Sequence, residues 1–405
     1  MDSLRSLKLG EVASIETGKL DSNAATKNGK YPFFTCSPET LKTDTYSFDT
    51  KAVLLAGNNA AGIFPIKYYE GKFDAYQRTY VIRSLDENQL LTRYLFYALN
   101  IQLEYFRGVS TGVTTKFLTL SILNDLRINI PSFDFQGKAV SLLSPIDDLL
   151  ELNLKFIKVW EEISERIYNE WFVHFKFPEY KNAELIQTPN GLSPKGWMRR
   201  KISDFVRTSR GKSYRTSNLV EENGIPFITL KCVNRGGGFR IEGLKQFSGE
   251  YEEEETLGVG DVFLALTDMT QERRVVGRVG RVPDIGVKKF VYSMDLLKLV
   301  PLNEYDREFF YGLCRYSSMP SRLKEYANGV NVLHLSQKHV NEYEFCLPPE
   351  SLRKEYSEIV LPMYNQIDIL MRKNMLLGEL KELTLPKVIS GDLDVSGLDI
   401  DVLSE

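Results

Sequence analysis

The sequence contains few of the residues from which metal centres and disulfide frameworks are built. Among its 405 residues there are only four cysteines and three histidines. They are widely scattered and include no Cys-x-x-Cys pair: Cys36, Cys232, Cys314, Cys346, His174, His334 and His339. We therefore expect no disulfide framework, no structural zinc site and no other metal centre in this chain.

Long apolar segments are also missing. No apolar run approaches the roughly 18 residues that a membrane-spanning helix needs. The opening residues Met1-Asp2-Ser3-Leu4-Arg5 lack the apolar core of a signal peptide. With 43% hydrophobic and 26% charged residues, the composition is that of a soluble globular chain. We expect a cytoplasmic protein of two to four domains.

The chain has no strong excess of positive charge, because its net charge is −3. The charge is nevertheless unevenly distributed. Segments 1–133 and 198–348 carry +2 and +3, whereas segments 134–197 and 349–405 carry −3 and −5. This pattern permits DNA contact through a local basic patch but does not by itself indicate it.

Motifs that carry catalysis are absent from the sequence. Gly211-Lys212-Ser213 is similar to the end of a P-loop, but Val206 stands where the first glycine is required. We find no Asn/Asp-Pro-Pro-aromatic run, no His-Glu-x-x-His, no Gly-x-Ser-x-Gly and no convincing set of nuclease carboxylates. The sequence therefore predicts a recognition and assembly protein that is not an enzyme.

Two long stretches have heptad spacing. In both, apolar residues recur at alternating steps of four and three, which is typical of a coiled-coil seam. The first series is Leu142, Ile146, Leu149, Asn153, Phe156, Trp160, Ile163 and Ile167. The second series is Met363, Ile367, Leu370, Asn374, Leu377, Lys381 and Thr384.

The two series coincide when 221 is added to the first, so that Asn153 corresponds to Asn374. Two helices of the same phase, each with one asparagine in its seam, favour an antiparallel pair whose register the asparagines set. The alternative is two ordinary amphipathic helices, each docked on its own neighbouring domain.

The rest of the chain repeats one order of elements. Pro32-Phe33-Phe34-Thr35 corresponds to Pro226-Phe227-Ile228-Thr229, and Val53-Leu54-Leu55-Ala56 to Val262-Phe263-Leu264-Ala265. We predict an α+β protein with two diverged copies of a mixed α/β domain, joined by two long antiparallel coiled-coil helices. The predicted segments are a first domain at 1–133, a helix at 134–176, a linker at 177–197, a second domain at 198–348, a helix at 349–390 and a tail at 391–405.

This order of elements resembles the specificity (S) subunit of type I restriction-modification systems, over essentially the whole chain. Both helices carry the pattern Ile-Asp-x5-Asn. The other similar segments are Trp171-Phe172-Val173, Gly191-Leu192-Ser193-Pro194-Lys195-Gly196-Trp197 and Leu385-Pro386-Lys387-Val388-Ile389-Ser390-Gly391-Asp392-Leu393. The single motifs are short, and their order and duplication carry the resemblance.

The resemblance implies that each domain is a target recognition domain that reads one half of a split DNA sequence. It also implies that the helices bind two copies of a modification subunit, which carry S-adenosylmethionine and methylate adenine. A restriction (motor-nuclease) subunit would cut unmodified DNA. This chain itself would hold no cofactor.

Candidate DNA-binding side chains lie in the matched loops, where amide, hydroxyl and cationic groups can contact bases or phosphates. In the first domain they are Lys19, Asn23, Lys27, Asn58, Asn59, Arg78, Arg107, Thr114 and Lys116. In the second domain they are Lys212, Arg215, Arg235, Arg240, Thr267, Gln271, Arg273, Arg274, Asn331 and His334. Solvated surface roles remain open for each of them, and Gly18, Gly112, Gly211 and Gly329 are interpreted as turn formers.

Further apolar side chains lie outside the seam of the first helix. They either pack on the attached domains or dock helices of the modification subunits: Leu143, Leu150, Leu152, Leu154, Ile157, Trp171, Phe172 and Phe175. Two other functions are left open by the residues. One is a stand-alone bipartite DNA-binding protein, and the other is a degenerate DNA methyltransferase or nuclease.

Overall fold

A computed structural model describes residues 5–60, 62–112, 115–188, 191–393, 395 and 397. The chain divides into two compact units, one from 1–150 and 377–405 and the other from 151–376. Each unit contains one mixed domain and a part of each long helix, so the predicted fold class is confirmed. The predicted Thr114 lies outside the described residues.

The first unit is organised around a six-stranded sheet. Its elements are β1 (Arg5–Lys8), α1 (Leu9–Val12), β2 (Ala13–Thr17), β3 (Tyr31–Phe34), β4 (Leu41–Thr43), β5 (Phe48–Ala56), β6 (Asn58–Asn59), β7 (Ile66–Ala75), β8 (Thr79–Ser84), α2 (Thr92–Asn100), α3 (Leu103–Val109), β9 (Lys116–Phe117), α4 (Leu120–Asp125) and β10 (Arg127–Ile130). The strand order of the sheet is β2-β8-β5-β7-β3-β4. β5 is central because Ala52 to Ala56 are all apolar and buried, which suits a strand covered on both faces.

Helix α2 covers one side of this sheet. Tyr94, Leu95, Tyr97 and Leu99 are fully buried in the same core as Val53 and Leu55 of β5. The core therefore holds the strand end at Ala56, and with it the following β6, in a fixed position.

The second unit repeats this order of elements with additional residues. After the long helix come β11 (Leu185–Thr188), β12 (Gly191–Pro194), β13 (Met198–Lys201), β14 (Val206–Arg210), β15 (Leu219–Val220), β16 (Ile225–Ile228), β17 (Lys245–Phe247), β18 (Thr256–Gly258), β19 (Val262–Ala265), β20 (Thr267–Asp268), β21 (Val279–Arg281), β22 (Lys289–Tyr292), β23 (Leu296–Pro301), α6 (Arg307–Tyr316), α7 (Met319–Leu323), β24 (Leu333–His334), α8 (Gln337–Asn341) and β25 (Glu344–Leu347). The main sheets have the strand orders β14-β23-β19-β21 and β15-β17-β16-β22-β18.

Strand pairing is shared by the two copies. β5 pairs with β8 at Val53–Ile82, and β19 pairs with β23 at the equivalent Val262–Leu299. β1 pairs with β10 as β13 pairs with β25, and the parallel pair β3–β7 has its counterpart in β16–β22. The duplication seen in the sequence is therefore a duplication of the hydrogen-bonded scaffold.

The two long helices are Phe133–Tyr168, labelled α5 from its place in the chain, and Glu350–Ser390, labelled α9. In the second unit, the Asn153 amide donates to the Asn374 carbonyl oxygen at 2.8 Å. Ser164 of α5 contacts the sulfur of Met363, so the residue numbers fall on α9 as they rise on α5. In the first unit, Asp147 forms an ion pair with Lys381. The helices are antiparallel, as the sequence predicts.

The predicted seam of α5 is wrong in one of its two rows. Leu149, Phe156 and Ile163 are exposed by 47%, 48% and 36%. Ile157 is partly buried and Ser164 is fully buried. The second inward row therefore lies four residues after Asn153 and Trp160, where the sequence pattern predicts three. The reason is that Ile146 and Asn153 are each followed by apolar residues at both three and four positions, and after Trp160 only the three-residue position, Ile163, is apolar. Periodicity alone therefore favours the wrong side.

The predicted helix end and linker also differ from the structure. α5 ends at Tyr168 and continues as a π-helical turn over Asn169–Val173. Within the segment 177–197, β11 and β12 form an antiparallel hairpin that Lys195 closes with an ion pair to Glu184 at 2.7 Å. Trp171 and Phe172 pack against the core of the second unit.

Candidate nucleic-acid interface

In the first unit, five predicted side chains lie around a two-stranded ribbon formed by β6 and β9. Asn58 pairs with Phe117, and Asn59 pairs with Lys116. Only Gly57 separates the ribbon from the buried strand β5. Its N–H donates to the Arg78 carbonyl at 2.8 Å, and its carbonyl accepts from the Leu118 N–H at 2.9 Å, so both sides of the junction are fixed.

Basic side chains converge on this ribbon. The Arg78 guanidinium lies 5.9 Å from the centre of the Phe117 ring, a cation–π arrangement. A Cβ built on Gly62 would lie 3.3 Å from Cγ of Lys116 and 3.5 Å from Cγ of Arg107, so these two side chains flank the same glycine. Arg78 and Arg107 are exposed. The structure thus brings together two amides and three cations at one edge.

The other predicted residues of the first domain are less concentrated. Lys19 is exposed, and its N–H donates to the Ala75 carbonyl at 3.1 Å, next to the turn that carries Arg78. Asn23 is exposed in the 3-10 turn Ser22–Ala24, and Lys27 lines a shallow pocket beside β4. We place Lys19 near the candidate edge and leave Asn23 and Lys27 on the surrounding surface.

The second unit contains an equivalent ribbon formed by β20 and β24. Thr267 pairs with His334, and Asp268 pairs with Leu333. The connection before β9 in the first unit and the connection before β24 in the second make the same turn. In the first, Thr111 forms a β-bridge with Phe117, and in the second, Asn328 forms one with His334.

A glycine is required at the same point of both turns. Gly112 and Gly329 have φ values of +103° and +151°, and an added Cβ would lie 2.1 and 1.9 Å from a backbone carbonyl oxygen. No side chain is tolerated at such distances. The two ribbons are therefore equivalent in pairing and in turn geometry, while their side chains differ.

Long polar side chains gather at the second ribbon. Gln271 donates its amide to the Val330 carbonyl at 2.6 Å, and Val330 itself is 89% exposed. Asn331 and His334 are exposed, Arg274 is exposed and paired with Glu272, and Arg273 is half-buried with φ +52°. This loop pair offers amide, imidazole and guanidinium groups on one edge.

Several predicted residues of the second domain lie elsewhere or are engaged. Thr267 is only 3% exposed, and its hydroxyl donates to Asp295 at 3.2 Å, so it supports the ribbon rather than facing solvent. Lys212 is paired with Glu255 at 3.1 Å, and Arg240 with Glu242 at 3.5 Å. Arg215 and Arg235 are exposed on separate turns.

Sequence reasoning missed Asp268, which is 3% exposed and accepts hydrogen bonds from Thr270, Val275 and Val276. Burial alone would raise its pKa, but these hydrogen bonds outweigh burial and hold the pKa below its usual value. The pattern Asp-x-Thr after a buried strand could have revealed it, because aspartate commonly accepts from the backbone two residues on.

Within the described ranges, no group of three or more His, Cys, Asp or Glu side chains could hold a metal ion. In the same part of the chain, no helix combines the length and apolar character needed to span a bilayer.

Comparison with known proteins gives a consistent result. The family model described as "Type I restriction modification DNA specificity domain" matches residues 2–159 and 194–377, which is most of the chain. The specificity subunit of the type I restriction enzyme EcoDI of Escherichia coli is 32% identical over 219 residues, covering 48% of this chain and 47% of that relative. The match therefore spans about half the length of that relative.

A second relative is matched over more of its length. The MjaIX specificity subunit of Methanocaldococcus jannaschii is 22% identical over 325 residues, covering 78% of this chain and 72% of the relative. The crystal structure of the type I S subunit from M. genitalium has the same fold, with a TM-score of 0.60, 17% identity and coverage of 95% of this chain and 96% of that one. This chain belongs to the family of type I restriction-modification DNA specificity subunits.

Proposed function

We propose that the two ribbons are the DNA-reading elements, one for each half of a bipartite target, and that the long helices dock two modification subunits. The observation that carries the first part is the equivalence of β6–β9 and β20–β24. The two ribbons share their pairing and their required glycine but present different side chains. A shared scaffold with different edges suits two readers of different sequences.

The chemistry of the edges fits base reading. The major groove of B-DNA admits a two-stranded β-ribbon, where an arginine can pair with guanine and an asparagine or glutamine with adenine. The first ribbon offers Asn58, Arg78 and Arg107, and the second offers Arg273, Arg274 and Asn331. Each good bidentate pair contributes about 1–3 kcal/mol of discrimination against a wrong base.

Phosphate contacts can be separated from base contacts by salt. The logarithm of the binding constant falls as the logarithm of the salt concentration rises, and each phosphate contact steepens this fall by about 0.9. If Arg273 contacts phosphate, Arg273→Ala lowers that slope and weakens binding to all DNA sequences alike. Fluorescence anisotropy at several salt concentrations measures both quantities, with Arg166→Ala on the exposed side of α5 as a control. An unchanged slope would exclude Arg273 from the phosphate contacts.

The docking part of the proposal is supported by unpartnered apolar surface on α5. In the second unit, Leu152, Phe156, Val159 and Ile163 are all exposed and follow heptad spacing. An exposed row with the period of a coiled-coil seam suits a further helix. The modification subunits would supply such helices, S-adenosylmethionine and the methylation chemistry, and a restriction subunit would complete the complex.

Charged substitutions in this row test the docking site. Leu152→Asp with Phe156→Asp should abolish co-purification of the modification subunits while changing the unfolding midpoint much less than a substitution in the core, because both residues are already exposed by 45% and 48%. Lys155→Asp with Lys158→Asp, on exposed neighbouring positions, is the matched control. Retention of the modification subunits by the first variant would contradict docking here.

The complete complex tests the function as a whole. The chain is co-expressed with its modification subunits, and methylated adenines are mapped by single-molecule sequencing. A split motif with a fixed spacer is expected, and the chain alone with S-adenosylmethionine should methylate nothing. A continuous motif, or methylation by the chain alone, would refute the proposal.

The helices are also proposed to set the spacer. Removing residues 150–156 and 371–377 together takes one heptad from each helix, or about 10 Å at 1.5 Å per residue. At roughly 3.4 Å per base pair, the preferred spacer should shorten by about three base pairs. An unchanged spacer in the mapped motif would show that the helices do not measure it.

A further inference from the structure

The connection that contains β20 in the second unit is longer than the equivalent connection that contains β6 in the first. Residues 56–65 connect the paired positions Leu55 and Ile66 in the first unit, and residues 265–278 connect Leu264 and Val279 in the second. The second connection is therefore four residues longer. A longer loop has more conformations to lose on ordering, so a defined edge needs additional fixing contacts.

Asp268 supplies such contacts at both ends of the loop. One carboxylate oxygen accepts from the N–H and the hydroxyl of Thr270, each at 2.9 Å. The other oxygen accepts from the N–H of Val275 at 2.6 Å and of Val276 at 3.2 Å. One buried carboxylate thus joins the first and last residues of the segment that carries Gln271, Arg273 and Arg274.

Gln271 fixes the same loop to its neighbour. Its amide nitrogen lies 2.6 Å from the Val330 carbonyl and 3.4 Å from the Gly329 carbonyl. The receiving turn is itself constrained, because Gly329 has φ +151°. The two loops of the second ribbon are therefore held as one edge.

We propose that Asp268 and Gln271 are positioning residues that hold the reading edge of the second domain, so that base discrimination by Arg273, Arg274 and Asn331 depends on them. This inference rests on the proposed function of the ribbons. It reassigns Gln271 from base contact to loop support, because its donor group is already used by backbone carbonyls.

At the equivalent position the first domain carries an amide instead of a carboxylate. Asn59 occupies the position of Asp268, since Asn59 pairs with Lys116 as Asp268 pairs with Leu333. An amide has one accepting oxygen and one donating nitrogen, so it cannot accept from four donors as a carboxylate does. The dependence on Asp268 should therefore be confined to one half of the DNA target.

The test uses the full chain in complex with its modification subunits. Asp268→Asn keeps the size of the side chain but turns a donating NH₂ group toward backbone N–H groups. Methylation rates are measured on DNA in which each base pair of both half-sites is changed singly. We expect discrimination in one half-site to fall about tenfold and that in the other to stay within about twofold. The salt dependence of binding should not change.

Two further variants make the outcome decisive. Gln271→Ala, at an exposed position, should weaken discrimination in the same half-site as Asp268→Asn, and it decides the question if the Asp268 variant does not assemble. Asp284→Asn is a control for the same substitution at an exposed aspartate, which accepts from the Gly286 N–H at another place in the unit.

Equal loss in both half-sites, or no loss in either, would overturn the positioning roles. Failure of the proposed function would look different, because the unaltered complex would then have no split target at all.

Discussion

The ion pair between Arg281 of β21 and Asp368 of α9 gives a stringent test of how the second domain is attached to the long helix. The side chains are only 8% and 6% exposed. One guanidinium nitrogen, Nη1, donates to both carboxylate oxygens, at 3.0 and 2.9 Å. Burial raises the pKa of Asp368, and the charge of Arg281 opposes this only in part. The pair therefore bears a substantial desolvation cost.

The free energies follow from that burial. Asp368→Ala leaves the Arg281 charge buried without its hydrogen-bonded carboxylate, which should lower the free energy of unfolding by about 3–5 kcal/mol. Replacing both residues, as in Arg281→Met with Asp368→Leu, removes the desolvation cost as well and should come within about 1 kcal/mol of the parent or exceed it. The Nε group of Arg281, buried without a hydrogen-bond partner among the described residues, adds to this expectation.

The assay is favoured by the positions of the tryptophans. All three, Trp160, Trp171 and Trp197, lie within residues 151–376, so fluorescence during urea unfolding reports on the second unit. Glu151→Ala breaks an exposed pair with Lys155 on α5 and should leave the midpoint unchanged. A cost below about 1 kcal/mol for Asp368→Ala, or a double variant as unstable as the single one, would refute the reasoning.

Three further predictions concern local features. Burial raises the pKa of Cys232 to about 11 and of Cys314 to about 12, so alkylation at pH 8 followed by mass spectrometry should label these two far more slowly than the other two cysteines. Asn153→Leu should cost about 1–3 kcal/mol in urea unfolding, because it leaves the partner amide on α9 unpaired, whereas leucine at both positions should restore stability. Gly329→Ala should lower the melting temperature and DNA affinity, while Gly236→Ala, where an added Cβ meets nothing within 4 Å, should change neither.

The helix pair shows where sequence periodicity suffices and where it does not. On α9, both rows of the predicted series face inward, since Met363 and Asn374 are partly buried and Ile367 is buried. On α5, apolar residues lie both three and four residues after Ile146 and after Asn153, whereas Trp160 is followed by the exposed Ile163 and the buried Ser164. The choice between Phe156 and Ile157 depends on which side faces α9. That is a property of the packed pair and cannot be obtained from one helix.

The candidate interface shows the same division. The matched loops locate both ribbons, because the repeat preserves the strands and glycines that build them. Which side chains face outward depends on contacts that the sequence does not display. Thr267 faces inward to Asp295, and Lys212 forms an ion pair with Glu255. Asp268 was not predicted as a supporting residue, because a single carboxylate outside a catalytic motif gives little indication of a role in the sequence.

The two copies also differ in one supporting contact. It attaches the loop before α2 to the start of α5 in the first unit, and the loop before α6 to the start of α9 in the second. In the first unit, the buried Gln136 accepts from the Leu91 N–H at 3.0 Å and donates to the Gln89 carbonyl at 2.9 Å. In the second, the corresponding Arg353 donates to Asp306 at 2.6 Å.

Backbone pairing is therefore retained while the supporting side chains change together with the loops that they hold. Asn59 and Asp268 differ in the same way at the ribbons, where the longer loop coincides with the carboxylate. If DNA specificity changes by exchanging loops, the supporting residue must be exchanged with them. A transplanted second-domain loop should then function in the first domain only when an aspartate accompanies it at position 59.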